Sequence, residues 1–161
     1  MNTVIFLCLA VISFVTGGFK IAHAADDKLD GTWVVEKFEC RSGAKVADKH
    51  VYLARVTVIT IDRDKYKTLI NTSSCSVTYR GTLVISDNVQ TIKDFHKKYG
   101  RGCKDTDGNS LENIEVDVPD EVRHFKFENK NLVLFNYSSK DGGICPKDDT
   151  IITTLRKVND D

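Results

Sequence analysis

Eight short runs rich in Val, Ile, Thr, Tyr and Phe follow one another between residues 31 and 158, separated by residues typical of turns. Alternation is clearest in CSVTYRGTLVIS, where Val77, Tyr79, Leu83 and Ile85 share one face. A period of two is typical of strands, and no segment carries a long 3.6-residue apolar period. We therefore predict an all-β chain with strands at 31–40, 53–61, 65–71, 76–86, 89–96, 122–128, 131–137 and 150–158.

The links between these predicted strands alternate in length. Short turns built on DRD, DN and NK predict hairpins, whereas segments 41–52, 72–75, 97–121 and 138–149 are longer. Strands that run up and down in order would place the short links at one end and the long links at the other. Closure of such a sheet removes its edges, so we predict a single eight-stranded antiparallel up-and-down barrel. A β-sandwich is the alternative, and NIEVDV at 113–118 could add a ninth strand.

Four cysteines remain once the N-terminal segment with Cys8 is set aside. Cys40, Cys75, Cys103 and Cys145 all fall at the end of the predicted barrel that carries the long links. An even count in an exported chain suggests two disulfides. If the last strand closes against the first, the pairing Cys40–Cys145 with Cys75–Cys103 is favoured. Cys40–Cys75 with Cys103–Cys145 is the competing arrangement.

The N-terminal segment has the pattern of a secretory signal. Residues 4–15 form an apolar run that is shorter than the ~20 residues needed to cross a bilayer. Ala22-His23-Ala24 is a small-x-small cleavage site, although no Lys or Arg precedes the run. We predict a signal peptide at 1–24, a barrel domain at 25–161 and a secreted or periplasmic location. An uncleaved anchor or a buried helix is the other interpretation of the run.

Charge excludes a nucleic-acid partner from the leading hypotheses. The whole chain holds 23 basic and 23 acidic side chains, and removal of residues 1–24 takes away Lys20 alone. A near-neutral domain has no electrostatic footprint for a phosphate backbone. We expect a monomer with no membrane span in the mature chain.

The stretch Leu29-Asp30-Gly31-Thr32-Trp33 resembles the L-x-G-x-W start of the first strand in lipocalins. The terminal TTLRKV and the segment RGTLVISDN make the chain similar to small secreted bacterial lipocalin-like domains, without the C-terminal helix of larger lipocalins. The resemblance implies that Trp33 fills the floor of the barrel and that Arg156 packs over its ring as a cation–π partner. Gly31 would let the entering chain turn tightly.

Catalytic and metal-binding patterns are weak in this sequence. There is no G-x-S-x-G, no phosphate loop and no free cysteine nucleophile if the cysteines are oxidised. His50, His96 and His124 could form a metal site, but surface histidines are the favoured interpretation. We predict neither an enzyme nor a bound metal or cofactor.

Two functions follow from these observations. The first is binding of a small, largely apolar molecule inside the barrel, with the candidate lining residues Tyr66, Tyr79, Leu83, Ile92, Phe125 and Phe127. The alternative is a secreted interaction or inhibitor module with a packed barrel and no ligand. In that case the disulfide-braced loops would contact a protein partner, with 97–121 as the contacting arm.

Overall fold

The computed structural model of the protein describes residues 27–137 and 143–158, so the predicted signal segment 1–24 lies outside the described residues. One helix, α1 (Asp48–Arg55), accompanies nine strands in this part of the chain. The strands are β1 (Gly31–Cys40), β2 (Thr57–Asp62), β3 (Lys65–Asn71), β4 (Ser76–Ser86), β5 (Val89–Tyr99), β6 (Glu115–Val118), β7 (Glu121–Glu128), β8 (Asn131–Tyr137) and β9 (Thr150–Lys157).

Eight of the described strands close into an antiparallel barrel, in the order β1-β2-β3-β4-β5-β7-β8-β9 with β9 back against β1. The predicted barrel is confirmed, and the β-sandwich is excluded. Short hairpins join β2 to β3, β4 to β5 and β7 to β8. Arg63, Asp87 and Asn129 each adopt a positive φ in these hairpins, as tight turns require. We call this end the base, and the opposite end, with the long links, the mouth.

The segment between β1 and β2 corrects one predicted strand. The predicted strand at 53–61 begins instead at Thr57, because Asp48–Arg55 forms α1. This helix has two turns, and its N-cap residue Ala47 makes no side-chain capping bond, so neither periodicity nor a cap marks it in the sequence. Tertiary packing holds it in place: Ala54 is buried in the core, and Thr57 Oγ1 donates a hydrogen bond of 2.6 Å to the carbonyl of Leu53.

The last four residues of the NIEVDV segment, Glu115–Val118, do form a ninth strand, β6, and it lies outside the ring. β6 and β7 both pair with β5, and they do so in a single register, with Val118 opposite Phe95 and Glu121 opposite Ile92. They therefore follow one line that is interrupted at Pro119 and Asp120, where proline offers no N–H to a ladder. Because β6 only extends the line of β7, the up-and-down order of the ring is unchanged.

Two ladders of the ring are short. β1 pairs with β2 over Gly31–Val34, whereas its pairing with β9 extends from Trp33 to Cys40. Across the ring, β5 pairs with β7 over Val89–Ile92, whereas its pairing with β4 extends to Tyr99. The mouth half of the β1–β2 edge is therefore open, and α1 stands beside this opening. Along β5, in contrast, the mouth half of the edge is paired with β6 over Phe95–Lys98.

The base of the barrel is filled by large apolar side chains. Trp33 is 1% exposed, and its Nε1 donates a hydrogen bond of 2.8 Å to the carbonyl of Leu29. The side chains packed with it in the same core are those of Ile61, Leu83, Ile92, Phe125, Leu132 and Leu155. The indole thus satisfies its N–H while it fills the floor, which agrees with the place that the resemblance implies for Trp33.

The cation over the indole is Lys157 and not Arg156. Lys157 lies directly opposite Trp33 in the β1–β9 pairing, and its Nζ is 5.5 Å from the ring centroid. Arg156 points outward and forms an ion pair of 3.2 Å with Glu36. Leu155 is fully buried, so strand alternation turns the next residue to solvent. At Gly31, which has a φ of 128°, a Cβ would lie 2.6 Å from Lys157 Cε.

Both predicted disulfides are present at the mouth. Cys40–Cys145 joins the end of β1 to the link before β9, with Cα atoms 5.5 Å apart. Cys75–Cys103 joins the start of β4 to the segment after β5, with Cα atoms 4.6 Å apart. The favoured pairing is therefore confirmed, and two disulfides point to an oxidising compartment, extracellular or periplasmic. Within the described residues, no helix has the length and apolarity that a bilayer crossing requires.

Candidate functional site

The mouth half of the barrel contains a cavity of about 400 Å³. This volume lies within the roughly 300–1,000 Å³ typical of small-molecule sites. Most of its wall is apolar, with side chains from every strand of the ring and from α1. The apolar lining residues are Val35, Phe38, Leu53, Ile59, Ile70, Tyr79, Phe95, Val118, Leu134, Ile144 and Ile151.

The cavity includes some of the predicted lining residues and omits others. Tyr66 and Tyr79 line it. Leu83, Ile92 and Phe125 also face inward, but they are buried in the packed base below it. Phe127 lies at the base as well, where it is 36% exposed and its ring centroid is 6.3 Å from that of Trp33. The sequence therefore predicts the inward faces, and the height of each residue along the barrel decides which ones border the cavity.

A polar cluster interrupts the apolar wall on the side of β7. Arg123 Nη1 donates a hydrogen bond of 2.8 Å to Tyr66 Oη, and Thr68 Oγ1 donates one of 2.7 Å to the same oxygen. Arg123 Nη2 also pairs with the carboxylate of Glu121, which in turn accepts a hydrogen bond from Asn136 Nδ2. All five residues line the cavity. We call them the Arg123 cluster.

The guanidinium of Arg123 is held as a buried cation. Its side chain is 11% exposed, and it also lies 5.3 Å from the centre of the Tyr66 ring. Burial alone would lower the pKa of Arg123, but the opposing effects of Tyr66 and Glu121 are larger and raise it. Arginine is charged at every physiological pH, so the ion pair with Glu121 is the arrangement that balances the charge of this wall.

Sequence reasoning overlooked the Arg123 cluster, although its signal was present. Residues 121–128 read EVRHFKFE, and we predict that Phe125 and Phe127 face inward. Strand alternation then puts Arg123 on the same face. An ionisable residue in phase with buried aromatics is the pattern that points to a polar group within an apolar interior.

The mouth is bordered by α1 and by the disulfide-linked segments. Leu53 of α1 and Ile144, next to Cys145, both line the cavity from this end. On the outer side of α1, Val51 and Tyr52 are exposed. The pKa of His50 is lowered, first by burial and then by Lys49, and its Nδ1 has no hydrogen-bond partner among the described residues.

The histidines do not assemble into a metal site within the described residues. His96 Nδ1 lies 2.8 Å from Asp117 Oδ1 on the β5–β6 surface, and His124 is exposed on the outer face of β7. In this part of the chain, the potential ligand atoms that lie together belong to Cys40, Cys145 and Asp149. Both of those sulfurs are joined in a disulfide and offer no thiolate.

Comparisons of the chain with protein-family models, with characterised proteins and with solved structures give no match. The closed eight-stranded antiparallel barrel is consistent with a lipocalin-like fold, and functional inference rests on the cavity and its lining.

Proposed function

We propose that this protein is an exported lipocalin-like barrel that binds a small, largely apolar molecule in the mouth half of its interior. The observation that carries this proposal is the division of the interior, with a packed base below and a cavity of about 400 Å³ above. Barrels of eight strands either fill their interior with side chains or hold one small ligand. In this chain side chains fill the base, and the mouth half keeps the cavity that would hold such a ligand.

The wall of the cavity supports a ligand that is mostly apolar. Large side chains such as Phe38, Phe95 and Leu134 offer contact area, and apolar contact contributes about 25 cal/mol per Å² removed from water. Small-molecule sites commonly combine such walls with a few polar groups that fix orientation. The Arg123 cluster has this composition. We propose a binding protein because the described lining is largely apolar and carries one polar cluster.

The test compares the cavity with the outer surface of the same strand. Ile70 lines the cavity, whereas its neighbour Leu69 points to the other face of β3. Titration with Nile red, an uncharged apolar dye, should give saturable binding of one molecule per chain to the wild type. Ile70→Trp should weaken that binding at least tenfold because the indole fills the cavity, while Leu69→Trp should leave it within twofold of the wild type.

Circular dichroism of each variant checks that the fold is retained. Native mass spectrometry of the protein purified from its host should in addition reveal a bound small molecule. Equal affinity in the two tryptophan variants, or the absence of saturable binding across a panel of apolar dyes and lipids, would refute the proposal.

A second candidate function uses the outside of the barrel. Val122 is 57% exposed on the outer face of β7, beside the predicted contact arm 97–121, whereas its neighbours Glu121 and Arg123 line the cavity. Exposed apolar side chains of this kind favour contact with a protein partner. Val122→Asp should abolish capture of such a partner and leave Nile red binding unchanged. The opposite result would favour the cavity as the functional site.

A further inference from the structure

The Arg123 cluster leaves one buried hydrogen-bond donor without an acceptor. Arg123 Nη1 and Nη2 are paired with Tyr66 and Glu121, but Nε is shielded from solvent and has no partner among the described residues. Buried polar groups in folded proteins are almost always hydrogen-bonded, so the guanidinium beside the cavity has the capacity for one more acceptor, which would reach Nε after a small shift of the Arg123 side chain.

A second unpaired donor lies on the neighbouring strand. Gln90 is directly opposite Arg123 in the β5–β7 pairing, is 1% exposed, and its Nε2 also has no acceptor within the described part of the chain. Residues opposite each other in an antiparallel pair point to the same side of the sheet. Two donors that lack acceptors therefore point to the same side of this strand pair, and of the two residues only Arg123 lines the cavity.

The charge of the cluster decides which kind of acceptor suits it. The guanidinium of Arg123 is already neutralised by the carboxylate of Glu121, which is partly exposed and receives a further hydrogen bond from Asn136. A carboxylate on the ligand would place a second negative charge beside Glu121 in a wall of low polarity, where like charges repel strongly. An uncharged oxygen would accept a hydrogen bond from the guanidinium without that repulsion.

We propose that the Arg123 cluster is a selective subsite for an uncharged carbonyl oxygen, and that Glu121 excludes the corresponding carboxylate. The ligand class is then an amphiphile with an apolar body in the cavity and an ester, ketone or amide carbonyl against Arg123. This inference rests on the proposed binding function, because it names the polar end of the molecule that the cavity accepts.

Three probes with the same carbon chain test the subsite: methyl decanoate, decanoate and decane. Displacement of Nile red at pH 7 should rank the ester first, with the carboxylate and the hydrocarbon each at least tenfold weaker. Glu121→Gln keeps the shape and the acceptor oxygen at this position but removes the negative charge. In that variant decanoate should bind at least tenfold more tightly than in the wild type, and the ester should change by less than threefold.

Glu128→Gln is the matched control, because Glu128 ends the same strand, is exposed and pairs with Lys126 on the surface. It should reproduce the wild-type ranking. Arg123→Met should reduce the ester to the affinity of decane, and thermal unfolding establishes whether that variant is folded. The wild-type ranking and the Glu121→Gln variant test the subsite even if Arg123→Met does not fold.

The outcomes separate this inference from the proposed function. If decane, ester and carboxylate bind with equal affinity, the cavity binds apolar molecules but the carbonyl subsite is wrong. If decanoate binds more tightly than the ester in the wild type, the charge argument is wrong. If none of the probes displaces the dye and the dye itself does not bind, the proposed function fails together with the subsite.

Discussion

Removal of the Cys40–Cys145 bridge should cost more stability than removal of Cys75–Cys103. The two bridges join residues 105 and 28 positions apart in the sequence. On the chain-entropy model a cross-link stabilises by restricting the unfolded chain, and the effect grows with the logarithm of the loop length. The loop closed by Cys75–Cys103 also lies inside the loop closed by Cys40–Cys145, so each bridge must be considered with the other intact.

With the inner bridge intact, the outer loop is effectively shortened by the residues that the inner bridge bypasses. With the outer bridge intact, Cys75 and Cys103 are already held closer together on average because they belong to one covalent ring, so the inner loop is effectively shortened as well. The model then gives about 4.5 kcal/mol for loss of Cys40–Cys145 and about 3.3 kcal/mol for loss of Cys75–Cys103. We test these figures with the double variants Cys40→Ser/Cys145→Ser and Cys75→Ser/Cys103→Ser, because double replacement leaves no unpaired thiol to exchange with the remaining bridge.

Urea unfolding followed by tryptophan emission is the measurement, since Trp33 is the single tryptophan of the chain and is buried in the base. A difference of about 1.2 kcal/mol corresponds to roughly half a molar in the urea midpoint at a slope of about 2 kcal/mol/M. Midpoints can be compared directly where the slopes of the variants agree.

An equal loss for the two double variants, or a larger loss for Cys75→Ser/Cys103→Ser, would refute the entropic reasoning. It would mean that the bridges act mainly through native contacts at the mouth. A changed slope in one variant would instead indicate that its unfolded state had expanded.

Gly81→Ala should destabilise the barrel by about 1–3 kcal/mol, because a Cβ there would lie 2.6 Å from Ile92 Cγ2 and 2.8 Å from the Lys93 carbonyl oxygen. Urea unfolding against the exposed Ser86→Ala variant measures this loss, and a value no larger than that of Ser86→Ala contradicts it. His50→Gln should flatten the fall in stability as the pH drops from about 7 to 5. Burial, followed by Lys49, lowers the pKa of His50 in the folded protein. As the pH falls through the ordinary value of 6.5, the unfolded chain therefore binds a proton that the folded protein does not, and stability is lost. The same dependence on pH in His50→Gln as in the control His124→Gln would contradict this.

The sequence predicts the ring because its determinants are local. Alternation along each strand and the short hairpins with DRD, DN and NK set the order of the strands. Cys40 and Cys145 then fall beside each other once β9 closes against β1. Each of these features depends on neighbours in the chain, so a single sequence suffices to recognise it.

Two features required information from distant parts of the chain. α1 is two turns long and is stabilised by packing of Leu53 and Ala54 against the barrel, which no local pattern records. The level at which each inward residue lies depends on the stagger between strands. Leu83 and Tyr79 share a face of β4, but their different positions along the strand put Leu83 in the base and Tyr79 at the cavity.

The resemblance implies that Arg156 lies over Trp33, whereas the structure has Lys157 there, and this difference has another cause. Both residues are cationic and both lie near the end of the last strand, so the resemblance alone did not distinguish them. The buried Leu155 determines the phase of β9, and in that phase Lys157 faces Trp33. The alternation of β9 by itself therefore indicates Lys157.

The two short ladders lie on opposite sides of the ring, and they divide it into two four-stranded halves. One half contains β2 to β5, and the other contains β7, β8, β9 and β1. Cys75–Cys103 lies within the first half and Cys40–Cys145 within the second, so neither bridge crosses from one half to the other. The spacing of the two halves at the mouth is therefore set by non-covalent contacts and not by the disulfides. These contacts are the hydrogen bond from Arg123 to Tyr66 and the pairing of β5 with β6, which continues into β7.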